Sequence, residues 1–161
     1  MESQLTILSE SLDRKLEVLQ KIQEYNKRQE EVFSAEKVDI RQFDAAVEEK
    51  QHLIDEVVRL DDGFEILYEK LAKELEGNRQ RYAAQIKEMQ AKVAKVTELS
   101  VSVQAQEARN KKLVENYFAR ERAGIGQRRK SAKSAFDYYK SMSGAGYVPT
   151  RCTTINNKYN G

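Results

Sequence analysis

The sequence has few of the residues that mark turns in sheet-containing proteins. Its 161 residues include one proline, seven glycines and no tryptophan, and Pro149 lies twelve residues from the end. A β-sandwich or a doubly wound α/β fold needs a turn roughly every dozen residues, usually at Gly, Pro or Asn-Gly. The scarcity of these residues nearly excludes both folds and predicts an all-α protein.

Side chains suited to catalysis and metal binding are also scarce. Cys152 is the only cysteine, so it cannot form a disulfide within the chain. His52 is the only histidine, and Glu48, Asp55 and Glu56, about one helical turn away, place it on a charged face. A metal site would need a second His or Cys at ligand spacing. We therefore expect no metal, no cofactor and no enzymatic activity.

The sequence carries no visible signal for export or membrane insertion. The first residues, MESQLTILSE, include no basic segment, and no apolar run approaches the roughly 18 residues that cross a bilayer. A single cysteine in a polar tail is compatible with a reducing compartment. We expect a cytoplasmic protein that does not insert into membranes.

Charge changes sign along the chain. Residues 1–108 contain 16 basic and 23 acidic side chains, a balance of −7, whereas residues 109–161 contain 12 and 3, a balance of +9. The overall content of 34% charged and 40% hydrophobic residues predicts elongated amphipathic helices with much exposed surface. The basic segment would either fold back on the acidic body or meet an acidic partner.

Apolar spacing predicts two antiparallel helices in the first 60 residues. A stripe with steps of three and four predicts a first helix at about 3–34, and it consists of Leu5, Leu8, Leu12, Leu16, Leu19 and Ile22. Asp39 and Gln42 have the spacing of a capping box, which predicts the start of a second helix there. The segment between the two helices is short, so we expect them to be neighbours.

A glycine and an acidic pair predict an interruption near residue 62. Asp61-Asp62-Gly63 begins a second Asp-x-x-Glu pattern, and we expect a helix break or hinge there, with a distorted turn inside one helix as the alternative. A single helix over 64–122 would be roughly 90 Å long. Such a helix must bend, break near Gly77 or project beyond the others.

A strict heptad run follows from Tyr82 to Tyr117, where apolar residues recur in steps of four and three. Three members of this run are polar, namely Ser100, Glu107 and Asn110. Polar residues at such positions fix the register of helix pairing or contact water rather than add stability. The run predicts a long helix, and a part of it that projected beyond the earlier helices would be a natural place for a partner.

The composition changes near residue 123. Ala123-Gly124-Ile125-Gly126 interrupts the helical pattern, and we interpret it as a hinge, because a phosphate-binding loop would follow a strand. A short basic helix is expected over 127–142, and the polar sequence of 143–161 predicts a flexible tail. The predicted architecture is an elongated antiparallel helical bundle or coiled coil of three to four long helices at 1–122. The hinge and short helix at 123–142 and the tail follow it.

Aromatic residues concentrate in the basic part of the chain. Seven of the thirteen Tyr and Phe residues lie after residue 116. Aromatic rings among Arg and Lys can stack on single-stranded bases or anchor a helix of another protein. Tyr147 and Tyr159, in the predicted tail, are candidate docking residues.

Two segments, KQHLIDEVVRLDDGFEILYEKL and ELSVSVQAQEARNKKLVENYF, carry a resemblance to a known family. The positions concerned are Lys50-Gln51, Leu53-Ile54, Leu60-Asp61, Glu107, Asn110 and Leu113. With the chain length and the long opening helix, they resemble the FlgN class of flagellar type III export chaperones, which serve hook-associated proteins. The resemblance covers roughly residues 3–142.

The resemblance implies a cytosolic chaperone that keeps filament-junction subunits unpolymerised and delivers them to the export gate. Such clients carry amphipathic terminal helices, whose apolar face the chaperone would mask with its own helices. From the aromatic clustering and the predicted hinge, we expect the masking surface to consist of Val114, Tyr117, Phe118, Ile125, Phe136, Tyr139 and Met142.

Three other interpretations stay open. A chaperone for the filament cap would share the helical architecture and differ only in its client. A basic nucleic-acid-binding arm would lose affinity steeply with salt, although a short basic stretch is weak evidence for one. A structural coiled-coil adapter could form a homodimer through the Tyr82–Tyr117 run.

Overall fold

The computed structural model describes residues 1–121, which form three α-helices joined by two short connections. The helices are α1 (Glu2–Ser34), α2 (Ile40–Gly77) and α3 (Ala83–Arg120). No residue in this part of the chain belongs to a β-strand. The prediction of an all-α protein is therefore confirmed for the first 121 residues.

Helix α1 packs against both of the other helices. The Lys15–Asp61 ion pair and the Phe33–Phe43 ring contact show that α1 and α2 are antiparallel, as the short connection predicted. The equally short connection to α3 makes α3 parallel to α1. No Cα atom of α2 lies within 8 Å of a Cα atom of α3, so these two helices meet through their side chains.

The boundary between α1 and α2 agrees with the sequence. Helix α1 covers the predicted range, and Asp39 is the N-cap of α2. The Asp39 Oδ1 atom accepts hydrogen bonds from the backbone amides of Arg41 at 3.0 Å and Gln42 at 3.4 Å. These bonds satisfy two amide groups that the first turn of a helix leaves without partners. The predicted start of the second helix is confirmed.

The predicted break at residues 61–63 is wrong, because α2 continues through them without interruption. The Asp61 carboxylate does not cap a helix but pairs with Lys15 in the core. Gly63 is exposed, and a glycine inside a helix costs only about 1 kcal/mol relative to alanine. Packing of Phe64 and neighbouring buried residues outweighs that cost. The chain does break near Gly77, the last residue of α2, which confirms one of the three outcomes expected there.

The hydrophobic core consists of two clusters, one in each half of the bundle. The apolar half contains Leu5, Leu8 and Leu12 of α1, Phe64, Tyr68, Leu71 and Leu75 of α2, and Tyr82, Ile86, Met89 and Val93 at the start of α3. The mixed half contains Val18, Leu19 and Ile22 of α1, Phe43, Ile54 and Val57 of α2, and Val96, Val103, Val114 and Phe118 of α3. Lys15 and Asp61 lie at the boundary, and the mixed half holds the other buried polar side chains of residues 1–121.

The heptad run of α3 forms a buried stripe in the structure. Its apolar and polar members between Tyr82 and Tyr117 are all buried, and they are Ile86, Met89, Val93, Val96, Ser100, Val103, Glu107, Asn110 and Val114. They pack in the same core as the buried residues of α1 and α2. A second copy of the chain could therefore use this run only if the bundle opened.

The predicted hinge at 123–126, the short basic helix at 127–142 and the tail at 143–161 lie outside the described residues. Among the helices of residues 1–121, none is both long enough and apolar enough to cross a membrane.

Candidate functional site

The structure places the predicted partner-binding residues of α3 at one end of the bundle. Val114 is 2% exposed and Phe118 is 8% exposed, so both belong to the core of the mixed half. Tyr117 is half-buried. The remaining candidates lie outside the described residues, and they are Ile125, Phe136, Tyr139, Met142, Tyr147 and Tyr159. The role of all these residues in partner binding stays a prediction.

Aromatic rings from all three helices meet at this end, which we call the aromatic end. Phe33 of α1 contacts Phe43 of α2 with ring centroids 4.8 Å apart, and it contacts Tyr117 at 5.5 Å. Tyr117 also lies against Phe118 at 5.1 Å, and all three contacts are edge-to-face. Such ring contacts add about 0.5–1.5 kcal/mol each to the burial of apolar area. The chain continues from Glu121 beside this cluster.

A groove of about 510 Å³ lies beside the aromatic end, between the last turns of α1 and the first turns of α2. Its walls include Tyr25 and Val32 of α1 and Phe43, Ala45 and Ala46 of α2. Charged side chains also line the groove, and they are Arg28, Glu31, Lys37, Asp39 and Glu49.

A buried lysine joins all three helices in the mixed half. Lys50 of α2 is 0% exposed, and its Nζ atom lies 2.7 Å from Glu107 Oε1 of α3. The same Nζ donates a hydrogen bond of 3.1 Å to Gln29 Oε1 of α1. Burial lowers the pKa of Lys50 below its ordinary value, because the desolvation cost exceeds the attraction of the Glu107 carboxylate.

Amide side chains form a second polar contact between α1 and α3. Asn26 Nδ2 donates a 3.3 Å hydrogen bond to Gln106 Oε1, and Asn110 Nδ2 donates a 2.9 Å bond to the backbone oxygen of Asn26. The Oδ1 atoms of Asn26 and Asn110 are buried without a hydrogen-bond partner. A buried acceptor without a partner costs roughly 1–3 kcal/mol. This part of the core is therefore less stable than an apolar core of equal size.

The boundary between the halves holds one more ion pair. Lys15 Nζ of α1 lies 2.7 Å from Asp61 Oδ1 of α2, and both side chains are almost fully buried. This ion pair links the middle of α2 to α1, at the point where the apolar half begins.

Sequence reasoning identified only part of this buried polar set. Ser100, Glu107 and Asn110 were found as polar members of a heptad run, whereas Lys15 and Lys50 were not recognised as buried. The spacing of Lys15 and Lys50 from neighbouring apolar residues was the signal that could have identified them as buried. Lys15 lies three residues after Leu12, and Lys50 lies midway between Phe43 and Val57 in steps of seven, so each occupies a core position.

The close contact between Lys92 and Ser9 does not form a catalytic pair. Lys92 Nζ donates to Ser9 Oγ at 2.6 Å and also contacts Asp13 and Glu88. Partial desolvation opposes the charge, but the two carboxylates outweigh it and raise the pKa of Lys92. A lysine that keeps its proton cannot accept one from Ser9, so this geometry does not activate the hydroxyl.

Metal binding has no geometric support in residues 1–121, where no group of three His, Cys, Asp or Glu side chains could hold an ion. His52 is exposed on α2, in agreement with its predicted position on a charged face. What the described geometry offers is a cluster of aromatic rings at one end of the bundle, next to a core that contains buried polar side chains.

Comparisons of the chain with protein-family models, with curated proteins and with solved structures found no match.

Proposed function

We propose that the protein is a flagellar type III export chaperone of the FlgN class. It binds hook-associated subunits at the filament junction in the cytoplasm, prevents their premature assembly and delivers them to export gate components. The finer architecture belongs to this proposal: an elongated coiled-coil bundle of three to four long helices continues into a short C-terminal helix and a flexible tail. In this proposal the protein has no enzymatic role.

One observation carries the proposal. Three of the polar positions that resemble the family are buried near one another, although Lys50 lies far in sequence from Glu107 and Asn110. Lys50 of α2 pairs with Glu107 of α3, and Asn110 bonds to α1 one turn further along. Asp61, also among those positions, pairs with α1. The resemblance thus includes residues that set the register of the three helices, and it goes beyond the apolar spacing common to helical bundles.

The aromatic end supports the choice of a helical client. Tyr117 is half-buried and lies on Phe33 and Phe118, at the point where the chain continues into the other predicted partner residues. An amphipathic helix binds by inserting residues at steps of three and four into an apolar groove. Tyrosine and phenylalanine suit such a surface because they supply much contact area at low entropic cost.

Calorimetric titration with the terminal segment of a hook-associated subunit tests the proposal. We expect the full chain to bind, and both Tyr117→Ala and deletion of 123–161 to weaken binding by at least about tenfold, which corresponds to 1.4 kcal/mol. Val101→Ala is the matched control, because Val101 is an apolar residue of α3 that is 55% exposed and belongs to neither core cluster. Unchanged affinity after the deletion would contradict the proposal.

Binding measurements with other ligands, together with light scattering, separate the alternative functions. Binding of the filament-cap subunit in place of hook-associated subunits would assign the sister chaperone role. Affinity for an oligonucleotide that falls steeply between two salt concentrations would assign the nucleic-acid role instead. A dimeric mass by light scattering, without client binding, would favour the structural adapter.

A further inference from the structure

The acidic excess of the bundle is concentrated around the groove beside the aromatic end. Residues 24–56, which contain every residue that lines the groove, include ten acidic and five basic side chains, a balance of −5. Residues 1–23 have a balance of −1 and residues 57–121 a balance of +1. A basic ligand is therefore attracted to this end of the bundle rather than to its whole surface.

The groove itself combines apolar and acidic side chains. Tyr25 and Val32 of α1 are half-buried where they line it, and Phe43 of α2 is buried. Three exposed carboxylates lie along the same walls, and they belong to Glu31, Asp39 and Glu49. One of the two basic residues of the lining, Arg28, lies over the ring of Tyr25. A matching ligand has an apolar face bordered by several cations.

The sequence that follows the described helices has this pattern. The helix expected over residues 127–142 carries one apolar stripe, which consists of Ala132, Ala135, Phe136, Tyr139 and Met142. Lys130, Lys133 and Lys140 fall outside that stripe at helical spacing. Residues 122–142 contain six basic and one acidic side chain, so their balance of +5 matches the −5 of residues 24–56.

The chain also continues from the correct place. The backbone amide of Glu121 bonds to the oxygen of Tyr117, whose ring lies 5.5 Å from that of Phe33. Val32, the residue before Phe33, lines the groove. From Glu121 to residue 127 the chain can extend roughly 20 Å, so the expected helix begins within reach of the groove.

We propose that residues 127–142 of the same chain dock in the groove between α1 and α2 when no partner is bound. Phe136 and Tyr139 lie against the apolar side chains of the groove, and the lysines lie beside the carboxylates of Glu31 and Glu49. The docking does not depend on the proposed function, because it concerns the chain by itself.

The short connection makes a weak contact sufficient for docking. A short flexible linker gives an effective concentration on the order of 1 mM, so a segment with an intrinsic Kd of about 0.1 mM is docked in about 90% of molecules. Exposed ion pairs of this kind are weakened by salt. Docking should therefore decrease as the salt concentration rises.

Paramagnetic broadening in the full 161-residue chain tests the docking. The variant Ser131→Cys/Cys152→Ser carries a single thiol for a nitroxide label within residues 127–142. We expect the label to broaden the amide signals of residues 25–49 and to leave those of residues 64–75, in the second half of α2, unbroadened.

Charge variants of the labelled chain test the recognition. Glu31→Lys/Glu49→Lys should reduce the paramagnetic relaxation of residues 25–49 by at least about twofold, because it replaces two attractions with repulsions. Glu69→Lys/Glu74→Lys makes the same change of charge at exposed positions of α2 outside the groove, and it is the matched control. Phe136→Ser/Tyr139→Ser should reduce the broadening as well, and it alters no residue of the three helices.

Broadening that is absent, or that is spread evenly over the three helices, would overturn the docking. Broadening of an unlabelled chain by a spin-labelled second copy, in place of the effect within one chain, would assign the groove to self-association and overturn the proposal. Equal effects of the two charge variants would overturn the role of the carboxylates. Each of these results leaves the calorimetric test of client binding unaffected, since that titration measures a complex with a client.

Discussion

The two halves of the bundle show what is gained and lost when polar residues occupy core positions. In the apolar half, the buried heptad positions of α1, α2 and α3 are filled by Leu, Val, Ile, Met and aromatic residues. In the mixed half, the same spacing places Lys50, Glu107 and Asn110 in the core. Apolar residues can pack in several registers, whereas an ion pair and side-chain amides can be satisfied in only one. We infer that both halves gain stability from apolar burial, and that the polar residues of the mixed half add specificity of helix pairing.

The largest expected loss of stability follows from removing one partner of the buried ion pair in the mixed half. Lys50→Met removes the cation beside the Glu107 carboxylate, which is buried, and should lower the free energy of unfolding by about 3–5 kcal/mol. The matched change in the apolar half, Leu8→Ala, should cost about 2–5 kcal/mol through the cavity that it leaves. Urea unfolding at neutral pH measures both.

The two variants should differ in whether a second substitution restores their stability. Adding Glu107→Leu to Lys50→Met should restore stability to the wild-type value or raise it by about 1–4 kcal/mol, because an apolar pair has no desolvation cost. The comparison between the halves would fail if the double variant were as unstable as Lys50→Met.

A smaller effect is expected at the start of α2. Asp39→Ala removes the acceptor for the amides of Arg41 and Gln42 and should cost about 0.5–2 kcal/mol. Asp39→Asn keeps an oxygen acceptor and serves as the control, with a loss well below that of Asp39→Ala. Because the cap belongs to the mixed half, Asp39→Ala should also speed amide exchange in the first turns of α2 and leave residues 64–75 unchanged.

A gain in stability is expected where the two halves meet. Gly63 lies inside α2, and a Cβ atom added there would meet nothing within 4 Å. Gly63→Ala should therefore raise the free energy of unfolding by about 0.5–1 kcal/mol, since alanine restricts the unfolded chain and favours the helix. A loss of stability in urea unfolding would show that the helix does break at this point.

The smallest expected effect is a change of the free energy of unfolding with alkaline pH. Its sign is opposite for Lys50 and Lys92. The pKa of Lys50 is lowered by burial, so between that pKa and 10.5 the unfolded chain binds a proton that the folded chain has released. Stability relative to Lys50→Met/Glu107→Leu should therefore rise with pH across this window. We expect it to level off near pH 10.5, where the unfolded chain also loses the proton.

Lys92 provides the opposite case. Desolvation lowers its pKa, but contacts with Asp13 and Glu88 outweigh this and raise it. Its contribution is fully present below pH 10.5 and falls as the pH passes the folded-state pKa. The stability of the wild type relative to Lys92→Met should therefore decrease with alkaline pH. Urea unfolding of both pairs over the same pH series measures the two signs, and equal signs would contradict the assignment.

Much of the fold could be predicted because it depends on local spacing. The apolar stripe of α1, the cap at Asp39 and the heptad run from Tyr82 each concern residues within a few turns of one another. The break expected at residues 61–63 is wrong because an aspartate side chain can either cap a helix or pair with a lysine across the core. Local sequence does not show that Lys15 lies opposite Asp61.

The candidate site could likewise be predicted only where it depends on local sequence. Clustering of aromatic residues located Tyr117 and Phe118 near the end of α3. The contact of Tyr117 with Phe33 depends on α1, more than 80 residues earlier in the chain, and could not be predicted from spacing. The groove between α1 and α2 likewise depends on how far apart two helices pack.

The sequence by itself determined that residues 1–121 are all-α, where α1 lies and where α2 begins, and that charge and aromatic content change near the end of the chain. Hydrophobic periodicity and capping act over a few residues, so the sequence expresses them directly. Only the tertiary structure decided that Lys50 meets Glu107 and Gln29, that Lys15 meets Asp61, and that α1 lies against both other helices. A charged residue at a core position is stable only beside a partner of opposite charge, and the folded arrangement of the helices determines which partner that is.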